Sequence, residues 1–161
     1  MIKRLPFATI LVAVAMVAQQ PNGAAINPPW PSAEVIHTED LAKQIHSKAD
    51  APAVFQVGFN ALYKSKHVPG SVYAGPGNKE EGLAELKKAV ADVPKDRQIV
   101  LYCGCCPWDH CPNMKPAYSL LRSLGYTKIK VVEIPTNFAK DWVEKGYPVE
   151  KGSQKEVNSS H

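Results

Sequence analysis

No stripe of basic residues runs along this sequence, no glycine-rich loop stands ready for phosphate, and only one apolar run has any length. The 19 Lys and Arg against 15 Asp and Glu are spread along the chain, which excludes the electrostatic footprint of a nucleic-acid binder. Without a phosphate loop, no nucleotide or other organic cofactor is implied. The apolar run, Leu5 to Ala18, is shorter than the ~20 residues a membrane-spanning helix needs. No cysteine follows it where a lipid would be attached.

What that run has instead is the layout of a secretory signal peptide: Met1-Ile2-Lys3-Arg4 ahead of it and small residues behind it. Cleavage after Ala15, Ala18 or Ala25 fits the pattern. The last of these assigns 1–25 to the signal peptide and 26–32 to an extended leader, the end of a stretch from Gln19 to Ser32 rich in Pro, Asn and Gly. One domain over 33–150, long enough for a real hydrophobic core, and a polar, disordered tail over 151–161 complete the division. Loss of Lys3 and Arg4 lowers the net charge to about +2. The expected product is a soluble monomer, periplasmic or secreted, and not membrane-spanning once the signal is cleaved.

Within the domain the sequence alternates between strand-like and helix-like segments. Thr38 reads as the N-cap of a short helix carrying Leu41 and Ile45 on one face. Ala53 to Val57 reads as a strand, Val68-Pro69-Gly70 as a turn, and Ser71 to Ala74 as another short strand. Leu83, Leu86, Val90 and Val93 recur at helical spacing within Glu80 to Val93. Gln98 to Tyr102 is a buried strand, and Met114 to Leu124 an amphipathic helix that Gly125 ends. Asn113 is its expected N-cap, which places Pro116 in the first turn. Ile129 to Ile134 follows as a strand and Phe138 to Lys145 as a short helix. Such alternation predicts a parallel sheet covered on both faces, with ligands bound beyond the carboxyl ends of its strands.

All four cysteines fall between Cys103 and Cys111, in the loop Cys103-Gly104-Cys105-Cys106-Pro107-Trp108-Asp109-His110-Cys111. They close no long stretch of chain, so they do not staple the fold. A thiol between a strand end and a helix start meets free backbone N–H groups and the positive end of a helix dipole. Both favour thiolate, the form that attacks sulfur or binds a metal. Inward-turned amides would hold a thiolate on Cys103 and the charged species formed from it. The spacing of Cys103 and Cys106 also fits a two-cysteine redox pair, with Cys106 or Cys111 resolving an attacked partner. A resting disulfide would join Cys106 or Cys105 to Cys111, since bridging adjacent cysteines strains the chain.

Four pieces of the sequence resemble the rhodanese family, in that family's order and across Ser32 to Glu150. They are His67-Val68-Pro69-Gly70-Ser71-Val72, then Ile99-Val100-Leu101-Tyr102-Cys103, then Leu121 to Tyr126, and the closing Trp142-Val143-Glu144-Lys145-Gly146-Tyr147-Pro148-Val149. The resemblance implies a rhodanese-like α/β fold: a doubly wound parallel sheet with helices on both faces in a single domain. It also implies a sulfurtransferase that takes sulfane sulfur as a persulfide on Cys103 and passes it to a nucleophilic acceptor.

Three features depart from the family. Gln56-Val57-Gly58 stands where the family carries Asp-x-Arg, no Arg or Lys lies between Cys103 and Asn113, and the loop is longer and richer in cysteine. The resulting site is Cys103, Cys106 and Cys111 in the chemistry, with Gly104, Cys105, His110 and Asn113 binding substrate. His110 would supply charge in place of the missing arginine, and Asn113 a hydrogen bond to the bound sulfur. The expected partner is a small sulfur donor or a protein thiol or persulfide, better served than thiosulfate itself. Softness would let the thiols and His110 chelate Cu(I) or Zn(II), but closing a tetrahedron on one short loop is sterically hard, so no metal ligand is assigned.

Overall fold

A computed structural model describes residues 30–47 and 51–152 of the chain. The signal peptide at 1–25, the first part of the leader and nearly all of the tail at 151–161 lie outside the described residues. Five strands form one sheet in the order β1-β5-β4-β2-β3, every neighbouring pair parallel. They are β1 (Val35–His37), β2 (Ala53–Gln56), β3 (Val72–Tyr73), β4 (Ile99–Tyr102) and β5 (Ile129–Glu133). The helices are α1 (Thr38–His46), α2 (Asn60–Ser65), α3 (Glu80–Ala89) and α4 (Met114–Ser123), followed by one π-helical turn, Ala139–Val143. This is the α/β fold expected from the sequence.

The central strand explains why both faces are covered. Every residue of β4 is buried, and alternate residues serve opposite faces. Ile99, Leu101 and Cys103 pack with Phe55, Leu86 of α3, and Met114 and Leu121 of α4. Val100 and Tyr102 join Leu41 of α1 and Trp142 of the π turn on the other side. From β2 the chain winds outward to β3, and from β4 it winds the opposite way to β5. The crevice beyond the carboxyl ends of β2 and β4 is therefore the switch point of the sheet, where such folds bind ligands.

The motif residues outside that crevice build the scaffold. Tyr63 stacks on His67 at 3.9 Å between ring centres and donates its hydroxyl to Ser71 O at 2.6 Å. Tyr102 Oη accepts the Val68 N–H at 3.1 Å. Trp142, fully buried, donates its indole N–H to Pro148 O at 2.8 Å, and a bridge pairs His67 with Glu150. The turn and the closing motif are thus tied to each other, and His67 serves the turn.

Several expectations need correction. Thr38 is the first buried residue of α1 and not its cap; His37 holds the cap position. β1 and α2 had no counterpart in the sequence reading, and the segment read as helix over Phe138 to Lys145 is the π turn. Trp30, placed in the extended leader, is buried against Tyr118 at 5.0 Å between ring centres, because an indole gains more by packing than by solvation. The helix read over Glu80 to Val93 ends at Ala89, and that read over Met114 to Leu124 ends one residue early, at Ser123.

Candidate functional site

Cys103 is the first residue beyond β4, and Gln56 ends β2 in register with Tyr102. That pairing brings the ends of both strands together at the switch point. Gln56, buried, donates Nε2 to Cys103 O at 3.0 Å, and its Oε1 is a buried acceptor with no partner among the described residues. Gly58 lies so close that a Cβ there would stand 2.9 Å from Cys103 Sγ and 2.8 Å from Cys103 O. Gly104 turns the chain away at φ +81, against Phe138. Only glycine suits both positions: one is crowded, the other left-handed.

The sulfurs converge. Cys103 Sγ lies 3.1 Å from Cys105 Sγ, which lies 3.2 Å from Cys106 Sγ. The sulfurs of Cys103, Cys105 and Cys111 all fall within 4.8 Å of one another. Asn113 Nδ2 donates to Cys103 Sγ at 3.3 Å and faces Cys111 Sγ at 3.9 Å. Its Oδ1 accepts the Asn78 N–H at 3.1 Å. Asn113 occupies the N-cap position of α4, but its side chain makes no cap hydrogen bond. The expected capping role gives way to the sulfur, because a buried amide in contact with thiols is better satisfied there than at its own helix end.

The neighbouring thiols are held in their protonated form. Burial pushes the Cys105 thiol up to about 12 and raises Cys106 as well. Cys111 is raised first by its hydrogen bond to Cys103 and then by burial. Each can therefore act as an S–H donor to an anion on Cys103. The ring of inward-turned loop amides is only partly available. Trp108 N–H donates to Ile134 O, His110 N–H to Pro107 O and Met114 N–H to Cys111 O. At those positions the anion's donor is a side-chain amide in place of the backbone.

Of the residues assigned from the sequence, the structure brings together Cys103, Gly104, Cys105, Cys106, Cys111 and Asn113. It leaves out His110, whose ring is 81% exposed and paired with Asp109 at 2.8 Å, so it cannot stand in for the missing arginine. A cavity of about 440 Å³ opens on Cys103, Gly104 and Cys105, bounded by Gln56, Lys66 and Phe138 among others. Lys66 is the cation on that wall. Sequence reasoning missed Lys66, Gly58 and Phe138 as site residues. Position next to the His67 turn was the signal for Lys66; Gly58 was marked by standing at the family's Asp-x-Arg position, and the pairing of β2 with β4 gives its contact with Cys103.

A parallel α/β domain with a cysteine at the switch point of its sheet, ringed by thiols, defines a class of sulfur-handling scaffold. The chain belongs to the rhodanese-like domain family, whose profile matches residues 37–134. Its structure is similar to the BH2092 protein from Bacillus halodurans, with TM-score 0.58 and 22% identity over 74% of this chain and 77% of that one. The rhodanese-like domain of Anabaena sp. Alr3790 gives TM-score 0.53 at 19% identity, over 80% and 86%. Thiosulfate sulfurtransferase from Pseudomonas aeruginosa gives TM-score 0.54 at 17% identity, over 76% of this chain but 21% of that one. No match is found among curated proteins. Among the described residues, no helix is long and apolar enough to cross a membrane.

Proposed function

We propose that this chain is an exported sulfurtransferase, periplasmic or secreted, that carries sulfane sulfur as a persulfide on Cys103. The observation that carries this reading is the placement of Cys103 Sγ, with the Asn113 amide at 3.3 Å, the Cys105 sulfur at 3.1 Å and a cavity in front. Cys103 thiolate attacks the outer sulfur of a donor persulfide. The donor's S–S bond breaks, its inner sulfur leaves as a thiolate, and the new S–S bond forms on Cys103. The charge then rests on the terminal sulfur, where the Asn113 amide and the S–H groups of Cys105 and Cys111 stabilise it. An acceptor thiolate takes that sulfur by the same step in reverse.

The donor's chemistry follows from charge. With no Arg or Lys between Cys103 and Asn113, Lys66 is the one cation among the described residues lining the cavity, so a doubly charged donor such as thiosulfate is poorly held. Leu62 borders the cavity and Phe59 lies at the start of the same helix, both exposed, which suits an organic or protein-bound persulfide with apolar surface. The test is intact-mass measurement of the reduced chain after exposure to an organic persulfide. A gain of one sulfur that Cys103→Ser abolishes is the expected result. Loss of two hydrogens without sulfur gain would instead make the cluster a thiol–disulfide redox device and end this proposal.

A further inference from the structure

We propose that the Cys103, Cys105 and Cys111 thiols form a three-coordinate site for Cu(I), a function separate from sulfur transfer. The obstacle foreseen from the sequence was closing a tetrahedron on one short loop. The structure shows a different shape: three sulfurs converging from one side, within 4.8 Å of one another. An ion bound about 2.3 Å from each of three sulfurs in a plane sets them about 4 Å apart. The 3.1 Å between Cys103 and Cys105 and the 4.8 Å limit of the group bracket that spacing. Metal binding therefore needs shifts within the loop and no refolding of it.

The surroundings choose the ion. Among the described residues, Cys106 is the nearest candidate for the fourth ligand that Zn(II) requires in a closed site, and its sulfur lies outside the group of three mutually close ones. The His110 ring is 81% exposed and bound to Asp109, which also occupies the loop's carboxylate. Cys106 interacts with Cys103, Cys105 and Cys111 from the outer side, so its serine variant decides between three and four sulfur ligands. Cys103 and Cys111 are buried, and the small closed cavity beneath Cys103 and Cys106 is bordered by Met114, Val132 and Ile134. A set of three soft thiolates walled by thioether and hydrocarbon suits Cu(I) and offers nothing to a hard cation.

A second observation concerns the layer outside the ligands. Asn113 Nδ2 faces two of the three sulfurs, at 3.3 Å and 3.9 Å, while its Oδ1 is fixed by the Asn78 N–H. An amide fixed in that way orients the two ligands and offsets the negative charge that three thiolates bring to one ion. Binding is a simple exchange with no redox step: the ion enters, and each thiol that ligates releases its proton to solvent. Because Cys103 serves both roles, a bound ion blocks persulfide formation. The site itself does not depend on the sulfurtransferase reading, since a chain that loads no sulfur could still hold the ion.

The test uses the reduced full chain, titrated anaerobically with Cu(I) in competition with a chromophoric Cu(I) chelator. The expected result is one ion per chain, with X-ray absorption showing sulfur ligands in a three-coordinate shell. Cys106→Ser should keep that stoichiometry, whereas Cys105→Ser and Cys111→Ser should weaken binding by more than about 100-fold, beyond what loss of an outer-layer contact causes. Cys105 is only partly buried, so its serine variant tests the site even if the Cys111 variant fails to fold. Failure to hold Cu(I) against the chelator, or equal retention by Cys105→Ser, would overturn the proposal. So would Zn(II) bound as tightly as Cu(I), because that requires a fourth ligand. Intact-mass sulfur loading, run separately without metal, tells a failure here from a failure of the sulfurtransferase.

Discussion

Asn113→Asp isolates one hydrogen bond. The substitution keeps the shape of the side chain and keeps an oxygen to accept the Asn78 N–H, so the link at 3.1 Å survives. It removes the Nδ2 donor 3.3 Å from Cys103 Sγ and puts an acceptor in its place. A hydrogen bond to a charged group contributes about 1.5–3 kcal/mol, so losing it lowers the availability of a charged sulfur about 10- to 100-fold. Repulsion between the new carboxylate and the sulfur adds to that loss. The assay is the rate at which a haloacetamide modifies Cys103 in the reduced chain at pH 8, located by peptide mass. A thermal melt of the same sample checks that the fold is kept. An unchanged alkylation rate in a folded variant would refute the assignment of Asn113 as the donor that holds the reactive sulfur.

Other substitutions probe the contacts around it. Gly58→Ala places a methyl 2.9 Å from Cys103 Sγ and 2.8 Å from the Cys103 carbonyl, so it should cost about 1–3 kcal/mol in denaturant unfolding and slow sulfur loading together. Tyr102→Phe strips the partner from the buried Val68 N–H and should cost about 1–3 kcal/mol while leaving sulfur loading intact, as measured by unfolding and intact mass. The raised Cys105 and Cys111 thiols keep their protons in the folded chain at a pH where the unfolded chain has released them. Their contribution to stability is full below about pH 8.5, the ordinary thiol value, and declines as pH rises toward 12. The denaturation midpoint should fall from pH 8 to pH 11, and the fall should be shallower in Cys105→Ser.

What the sequence disclosed depended on how local each signal was. Four consecutive apolar residues, Ile99 to Tyr102, between a polar turn and a cysteine loop can be little other than a central strand. The turn after His67 and the closing segment from Trp142 are punctuated by Pro and Gly, so they too were legible. β1, with three residues, and α2, with six, are too short to show a period. Trp30 is buried by a contact with a helix far along the chain, which composition alone cannot anticipate. At the site, Cys103 and its loop were readable from position. Gln56 and Gly58 were marked by their place in the family pattern, but their contacts with Cys103 come from the pairing of β2 with β4; Asn113 was read both as cap and as donor to sulfur, and its side chain serves the sulfur.

The same residues that distinguish this loop from its family also define what an anion there would experience. A guanidinium attracts a negative substrate from a distance and then stabilises whatever charge forms, without distinguishing the two. S–H donors from Cys105 and Cys111 and the Asn113 amide carry no net charge, so they act only over hydrogen-bond range. On the proposed mechanism they therefore contribute little to capturing a charged donor and much to holding the persulfide once it has formed on Cys103. Stabilisation realised after the sulfur has moved favours slow release over rapid turnover with thiosulfate. A site of that kind behaves as a sulfur carrier that waits for an acceptor thiol. The Cys105 sulfur, 3.1 Å from Cys103 Sγ and held as S–H, is placed to hold that charge until the acceptor arrives.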